Sequence, residues 1–220
     1  MDISYYNLPM RTFEYKIIRR EELTTSVWSG GTTTQLAIYP PDAVYGERNF
    51  VWRVSSAKVA IEESTFTPLP GIARIIMPIE GEMDLIHEGH HRASLKPFEQ
   101  DSFMGDWQTR CYGKVTDFNL MTTQGRATLN AMELHPFSEK EIPVFSIGNN
   151  EGIDGECFSE VFYFLSPTKV KLPNVNEEFS VERGDVLLLQ SEYSEGQSIK
   201  VLNPLNTDTH VIQASVRHKK

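Results

Sequence analysis

Five polar side chains in this 220-residue sequence have the types and spacing to converge on one small molecule: Arg53, Ser55, Arg74, Asp117 and Asn119. In Phe50-Val51-Trp52-Arg53-Val54-Ser55-Ser56-Ala57, the two-residue period of a strand puts Arg53, Ser55 and Ala57 on one face. Trp52, Val54 and Ser56 take the other. In Val115-Thr116-Asp117-Phe118-Asn119-Leu120, Asp117 and Asn119 share a face, and Phe118 and Leu120 share the opposite one. If the polar faces line a barrel, they make a pocket with an apolar floor; if they face water, they are ordinary surface. The chemistry of such a pocket is anion capture. Arg53 and Arg74 would grip a carboxylate, bidentately where the geometry permits, while Asp117 and Asn119 would hold an amine, amide or imidazole.

A second segment, Trp28-Ser29-Gly30-Gly31-Thr32-Thr33-Thr34-Gln35, is dense in unusual residues. Its glycine pair lets backbone amides approach a ligand, and consecutive threonines offer hydroxyls beside them. On that reading Gly30, Gly31, Thr32 and Thr33 complete the anion cradle, with Trp28 and Gln35 next to it. A tight turn entering a Thr-rich strand explains the same residues without a ligand.

Strands must position these groups. Short runs rich in Val, Ile, Phe, Tyr and Thr are cut by Gly, Pro and Asn clusters, at the spacing of sandwiches and barrels. The arm from Thr12 to Glu22 reads equally as helix or strand. Two segments repeat one layout of strand, tight turn, strand, loop, strand, acidic turn, strand: one from Arg74 to Phe103, the other from Val161 to Leu187. In the second, Gly184-Asp185 supplies a permissive backbone and a carboxylate able to bond its own turn amides; Gln100-Asp101 aligns with it. This is the middle of a cupin barrel, seen twice. The expected fold is all-β, two tandem cupin-like (jelly-roll) barrels forming a bicupin. Residues 12–135 form the barrel with the pocket, and residues 136–220 form a second barrel completed by N-terminal strands. The boundary falls near His135-Pro136-Phe137-Ser138, and one continuous sandwich is the alternative.

Cupin metal sites take His and Glu ligands from the pattern H-x-H-x(3,4)-E-x(6)-G, and the spacing can be tested. With Gly81 as the closing glycine, the glutamate position falls on Arg74 and the histidine positions on Thr67 and Leu69, or Pro68 and Pro70. A guanidinium repels a metal ion, so the first barrel is expected to hold none. The second has no His between His135 and His210. His87, His90 and His91 flank Glu88-Gly89, a hairpin-turn signature that sends side chains to solvent. No metal ligand and no cofactor are expected.

The net charge of −9 with scattered basic residues gives no footprint for nucleic acid or an anionic membrane. The start, Met1-Asp2-Ile3-Ser4-Tyr5-Tyr6, lacks a basic region followed by an apolar one, and no apolar run approaches the ~20 residues of a membrane span. These features predict a cytoplasmic protein. Cys111 and Cys157 are too few for a disulfide framework and read as reduced, buried thiols.

Several of these segments together resemble the HutD/Ves family: Trp28 to Leu36, Trp52 to Ala57, Phe66 with Leu69-Pro70-Gly71-Ile72-Ala73-Arg74, Phe103-Met104-Gly105-Asp106, and Asp117 to Met121. The resemblance covers roughly residues 12 to 130 and is weaker beyond. It implies a bicupin with a pocket in the N-terminal barrel. For some members it also implies a link to control of histidine utilisation, with formylglutamate or urocanate proposed as ligand. Where the family's first motif often has Asn and an additional Gly after Trp, this chain has Ser29-Gly30-Gly31.

Three functions follow as expectations. The first is a sensor or scavenger of a small anionic ligand. The second is a metal-independent isomerase or lyase, with Asp117 or Asp106 as general base and Arg74 stabilising negative charge. The third is a structural module in which the second barrel forms a homodimer surface.

Overall fold

The computed structural model describes residues 13–147, 155–193 and 197–219. Thr12 and the Met1–Tyr6 segment lie outside them. Nineteen strands and two single 3-10 turns make up the regular structure of the described residues. The strands of the first half are β1 (Glu14–Ile18), β2 (Thr24–Trp28), β3 (Gly31–Tyr39), β4 (Trp52–Val59), β5 (Glu63–Thr65), β6 (Ala73–Glu80), β7 (Met83–His87), β8 (Arg92–Leu95), β9 (Asp101–Met104), β10 (Thr109–Tyr112) and β11 (Val115–Thr122). Then follow β12 (Arg126–Leu134), β13 (Glu139–Val144), β14 (Glu156–Phe164), β15 (Thr168–Lys171), β16 (Glu178–Val181), β17 (Val186–Ser191), β18 (Gln197–Leu202) and β19 (Thr209–Lys219). None of the described helices is long and apolar enough to cross a membrane.

Four antiparallel sheets result. A six-stranded sheet, β2-β3-β4-β11-β6-β9, faces a four-stranded one, β5-β10-β7-β8; a five-stranded sheet, β1-β17-β14-β19-β12, faces the four-stranded β13-β18-β15-β16. The Thr12–Glu22 ambiguity resolves as strand followed by a 3-10 turn, because β1 adds to the edge of β17 and Ile17 packs into the core of the second half. Strand partners change between β11 and β12, at residues 123–125, ahead of the His135–Ser138 turn. That turn joins β12 to β13 inside the second half, and β12 pairs with β19 along its whole length. A Pro-containing turn signals a corner, and nothing in it distinguishes a corner within a barrel from one between barrels.

Alternation along the strands sorts side chains into separate cores. Trp52, Val54, Phe118, Leu120, Met77 and Ile79 project from the six-stranded sheet and pack against Leu129, Val161, Val186, Ile212, Ala214 and Val216 of the five-stranded one. The two large sheets therefore meet back to back over an apolar layer. The second half has its own interior of Phe158, Phe162, Phe164, Leu187, Leu189, Ile199 and Val211. The first half is filled at one end by Ile76, Met83, Leu85, Leu95, Phe103 and Cys111. Because Phe118 and Leu120 are committed to the layer between sheets, Asp117 and Asn119 must point into the first barrel.

The His87 expectation needs correction. The turn after β7 is present, but the His87 side chain is fully buried, and only the region around His90 and His91 is open. His87 is the last residue of β7 and follows the inward phase of Met83 and Leu85, so strand period overrides turn position.

Candidate functional site

Three strands of the six-stranded sheet set the floor in register. Arg53, Met121 and Arg74 are direct cross-strand neighbours on β4, β11 and β6. The next inward row holds Gln35, Ser55, Asn119 and Ile76, and the next holds Thr33, Ala57, Asp117 and Pro78. From these rows Arg53, Met121, Arg74, Ser55, Asn119, Thr33, Ala57 and Asp117 line a cavity of about 320 Å³, with Val59, Leu69 and Met121 supplying its apolar part and Ser26, Trp28, Tyr45, Thr65, Phe66 and Thr67 completing its walls. The polar pairs on β4 and β11 thus face the barrel interior.

Both guanidiniums are buried, Arg53 at 5% exposure and Arg74 at 7%. Arg53 Nε donates to Gln35 Oε1 at 2.9 Å, its Nη1 donates to Ser55 Oγ at 3.0 Å, and its plane lies 4.2 Å over the Tyr45 ring. A bulge between Gln35 and Ala37 lets Gln35 keep the inward face while Leu36 and Ala37 both join the apolar layer. Arg74 sits over Phe66 at 4.6 Å and Phe103 at 5.0 Å, and its Nε has no hydrogen-bond partner among the described residues; nor does Asn119 Oδ1. Burial draws Arg74 down to about 10 despite the neighbouring Asp117. Burial also pushes Asp117 up to about 7, against the opposing pull of Arg74 and the Ala57 amide. Two cations thus face a single carboxylate that is half-protonated near neutrality. A buried guanidinium with an unpartnered Nε is costly, and an anion is a group able to relieve it.

Of the expected site residues, the structure gathers Trp28, Thr33, Arg53, Ser55, Arg74, Asp117 and Asn119 around this cavity. Gln35 stands behind Arg53. Thr32 does not belong: strand alternation turns it, with Thr34 and Ser56, to the opposite face of the sheet, where it lines a separate groove. The glycine pair serves packing. A Cβ on Gly30 would lie 2.1 Å from the Trp28 ring, and one on Gly31 would lie 1.9 Å from the Lys58 carbonyl oxygen. Asp106 is exposed in the turn after β9 and is not among the cavity's lining residues, so it is no candidate base for it. The Phe-x-Gly-Asp turn matters through Gly105, whose amide donates to the Ile72 carbonyl at 2.7 Å and whose carbonyl accepts from Leu69 at 2.6 Å. Tyr45, Ser26, Ser64 and Met121 also line the cavity and are not among the residues expected from the sequence. Tyr45 lies in a 3-10 turn with no periodicity to give it a direction. Met121 was legible, being two residues beyond Asn119 on the same face.

The HutD family's profile matches residues 20–203 of the chain. The chain belongs to the HutD family. No curated protein sequence matches it. Among solved structures, it is similar to a conserved protein of unknown function from Pseudomonas aeruginosa PAO1, at 20% identity and TM-score 0.73, covering 94% of this chain and 100% of that one. HutD from Pseudomonas fluorescens shares 20% identity with a TM-score of 0.65, over 93% of this chain and 100% of that one. The oxalate decarboxylase of Lactobacillus farciminis is 8% identical with a TM-score of 0.62, over 92% and 88% of the two chains. Within this HutD-family chain the fold is that of a bicupin, two jelly-roll barrels packed through their larger sheets.

A cupin barrel invites the question of a metal in its cavity. Among the described residues no His or Cys lines the cavity, the one carboxylate that does is Asp117, and a guanidinium stands at the sequence position where the cupin pattern has glutamate. That donor set does not fit a divalent ion, which needs imidazole, thiolate or several carboxylates.

Proposed function

We propose that this HutD-family protein binds a small carboxylate in the N-terminal barrel without a metal, and acts as a sensor or regulator linked to histidine utilisation. The observation that carries the reading is the buried Arg74 guanidinium, whose Nε has no partner among the described residues while it faces a cavity of about 320 Å³. A carboxylate there would bond Arg74 and Arg53 together and leave Asn119 Oδ1 to accept from an amide or imidazole on the same ligand. Supporting this class of ligand, the Pseudomonas fluorescens HutD structure is described for a formate condition and the Lactobacillus farciminis oxalate decarboxylase as a formate complex. The cavity's volume suits a molecule of metabolite size.

The test is thermal denaturation with formate, urocanate and formylglutamate at millimolar concentration. A shift with at least one of them, absent in Arg74→Gln, is expected, since a ligand bound only by the folded state stabilises it by RT ln(1 + [L]/Kd). No shift with any of the three would remove this ligand class.

A second reading rests on Asp117. A carboxylate raised to about 7 beside a buried arginine has the properties of a general base for a metal-independent isomerase or lyase. Turnover of a bound carboxylate that disappears in Asp117→Asn while binding persists would favour it. Binding with no turnover in the unaltered protein favours the sensor.

A further inference from the structure

We infer that His87, His91 and Asp101 form a binding site for a divalent transition-metal ion such as zinc, outside the carboxylate cavity, that clasps the two sheets of the N-terminal barrel. The three residues come from different sheets. His87 ends β7 and His91 closes the turn to β8 in the four-stranded sheet, whereas Asp101 opens β9 in the six-stranded one. His87 Nε2 lies 2.8 Å from Asp101 Oδ2, and His91 Nε2 lies 2.9 Å from Oδ1, so both ring nitrogens point at one carboxylate. One donor atom from each of the three lies within 4.8 Å of the others, close enough to contract around an ion.

The surroundings of His87 resemble the outer support of a metal ligand. Its Nδ1 is 2.8 Å from Thr109 Oγ1, and that hydroxyl in turn donates to the Trp107 carbonyl at 3.3 Å. In the neutral tautomer whose Nδ1–H donates to that hydroxyl, Nε2 is the lone-pair nitrogen and faces the Asp101 carboxylate, so a cation between them would be met by a donor from each side.

The acidic turn is built alike in the two halves, and Asp101 stands outside it. In the second half Asp185 accepts from the Glu182 amide at 3.0 Å, the Arg20 amide at 3.0 Å and Arg19 Nη1 at 2.6 Å. In the first half its counterpart is Glu99, accepting from the Lys96 amide at 2.8 Å, with a left-handed Phe98 where the second half has Gly184, so the expected alignment of Gln100-Asp101 with Gly184-Asp185 is off by two residues. Asp101, two residues on in β9, reaches the two histidines instead. Two imidazoles and a carboxylate suit zinc, nickel, cobalt or iron(II) over calcium or magnesium. The side chains of His91 and Asp101 are 39% and 14% exposed, which gives an ion an entry path and room for water as a further ligand. The other His-and-carboxylate group among the described residues, Glu133, His135 and Asp208, has one imidazole and is exposed throughout. It serves as a control. The clasp stands one ring away from the carboxylate cavity, since Phe103 packs 4.5 Å from His87 on one side and against Arg74 on the other.

The experiment uses tag-free full-length protein dialysed against a chelator and titrated calorimetrically with zinc, with cobalt absorption as a second measurement. Expected are one ion per chain at micromolar affinity or tighter, d–d bands of a low-coordinate cobalt site, and a higher melting temperature with zinc. Affinity should fall at least about tenfold in His91→Ala and in Asp101→Asn, and stay unchanged in His135→Ala. Absence of binding, or binding that neither His91→Ala nor Asp101→Asn weakens, overturns the site. If a variant fails to fold, the cobalt spectrum of the unaltered protein decides alone: bands of weak octahedral character, or none, overturn it. None of these readouts depends on the carboxylate cavity being occupied.

Discussion

Arg53 and Arg74 stand in one cross-strand row of the six-stranded sheet, on either side of Met121, and send two buried guanidiniums into the same cavity. Two strand spacings separate their α-carbons, about 10 Å, so a carboxylate lying over Met121 can meet both. Such a pair is adverse for the empty protein and favourable for the occupied one.

Arg74→Met is therefore expected to act in opposite directions on folding and binding. Removing a buried cation whose Nε lacks a partner, and filling its place with an apolar chain, should hold or raise the stability of the ligand-free protein by about 1–2 kcal/mol. Carboxylate affinity should fall about 100-fold, the loss of roughly 3 kcal/mol expected when one charged partner of a buried pair is removed. Urea titration of the ligand-free protein and calorimetry with the best ligand would measure the two. A variant that loses stability and binding together would mark Arg74 as a structural group.

Gln35 acts through Arg53. Its Oε1 accepts the 2.9 Å bond from Arg53 Nε and fixes the direction of the guanidinium. Gln35→Leu keeps the side-chain volume and removes the acceptor, so Arg53 loses this bond and keeps the one to Ser55. A hydrogen bond to a charged group is worth about 1.5–3 kcal/mol, which predicts a fall in carboxylate affinity of about 10-fold or more. Calorimetry on Gln35→Leu tests this, with Thr32→Ala, on the outer face of the same strand, expected to bind as the unaltered protein does.

Strand period alone brings the polar pairs of β4 and β11 to one cavity, whereas turns and uniform runs leave the direction of a side chain open. Arg53, Ser55, Asp117 and Asn119 were legible because each has an apolar neighbour that must face the other way, and Trp52 and Phe118 take the layer between sheets. Thr32 is not legible in this way, because a run of three threonines carries no polarity contrast to reveal its phase. The Gly30-Gly31 pair was ambiguous since a glycine needed for a ligand and a glycine needed for a close backbone approach look the same. The Lys58 carbonyl that decides the matter for Gly31 lies 27 positions away and was invisible in a local window. His87 shows the reverse: the turn signal at Glu88-Gly89 points it outward, and the inward phase that Met83 and Leu85 impose on β7 overrides that signal. The fold itself, all-β and duplicated, was legible in the repeated layout, whereas the change of partners at Gly125 was not, because it depends on β12 finding β19.

Asp117 gives a pH dependence with a definite sign. Its carboxyl is raised to about 7 by burial in the folded protein, while in the unfolded chain it ionises near the ordinary value of about 3.9. Between those values the folded state holds a proton that the unfolded state has released, so the Asp117 contribution to stability falls as pH rises from about 4 to about 7 and is level above. Binding follows the same direction. An anion beside Arg74 raises the proton affinity of Asp117 further, so carboxylate binding takes up a proton and weakens by up to about tenfold per pH unit above pH 7. In Asp117→Asn both slopes should flatten by this amount. Calorimetry at pH 6 and pH 8 in buffers of different ionisation enthalpy would count the proton. Equal affinity of the unaltered protein at both values would contradict the placement of Asp117 beside the ligand.

Glu160 tests the second barrel independently of the first. It is buried on β14 and accepts from three donors: the Phe145 amide at 2.7 Å, Gln213 Nε2 at 2.9 Å and the Ser215 hydroxyl. Phe145 has a left-handed backbone, φ 58°, at the end of β13, so the Glu160 bond holds a conformation that an L-residue adopts reluctantly. Glu160→Ala strands the Phe145 amide and the Ser215 hydroxyl in the interior and leaves Gln213 Nε2 only its 3.1 Å bond to the Pro143 carbonyl. At about 1–3 kcal/mol for each unsatisfied buried group, the expected loss is about 4 kcal/mol or more, or a melting temperature lower by roughly 8–16 °C for a chain of this size. Carboxylate affinity should be unchanged at temperatures where the variant is folded, because none of these three partners lines the N-terminal cavity. A variant that lost affinity while staying folded would instead show that the layer between the two large sheets transmits strain from one barrel to the other.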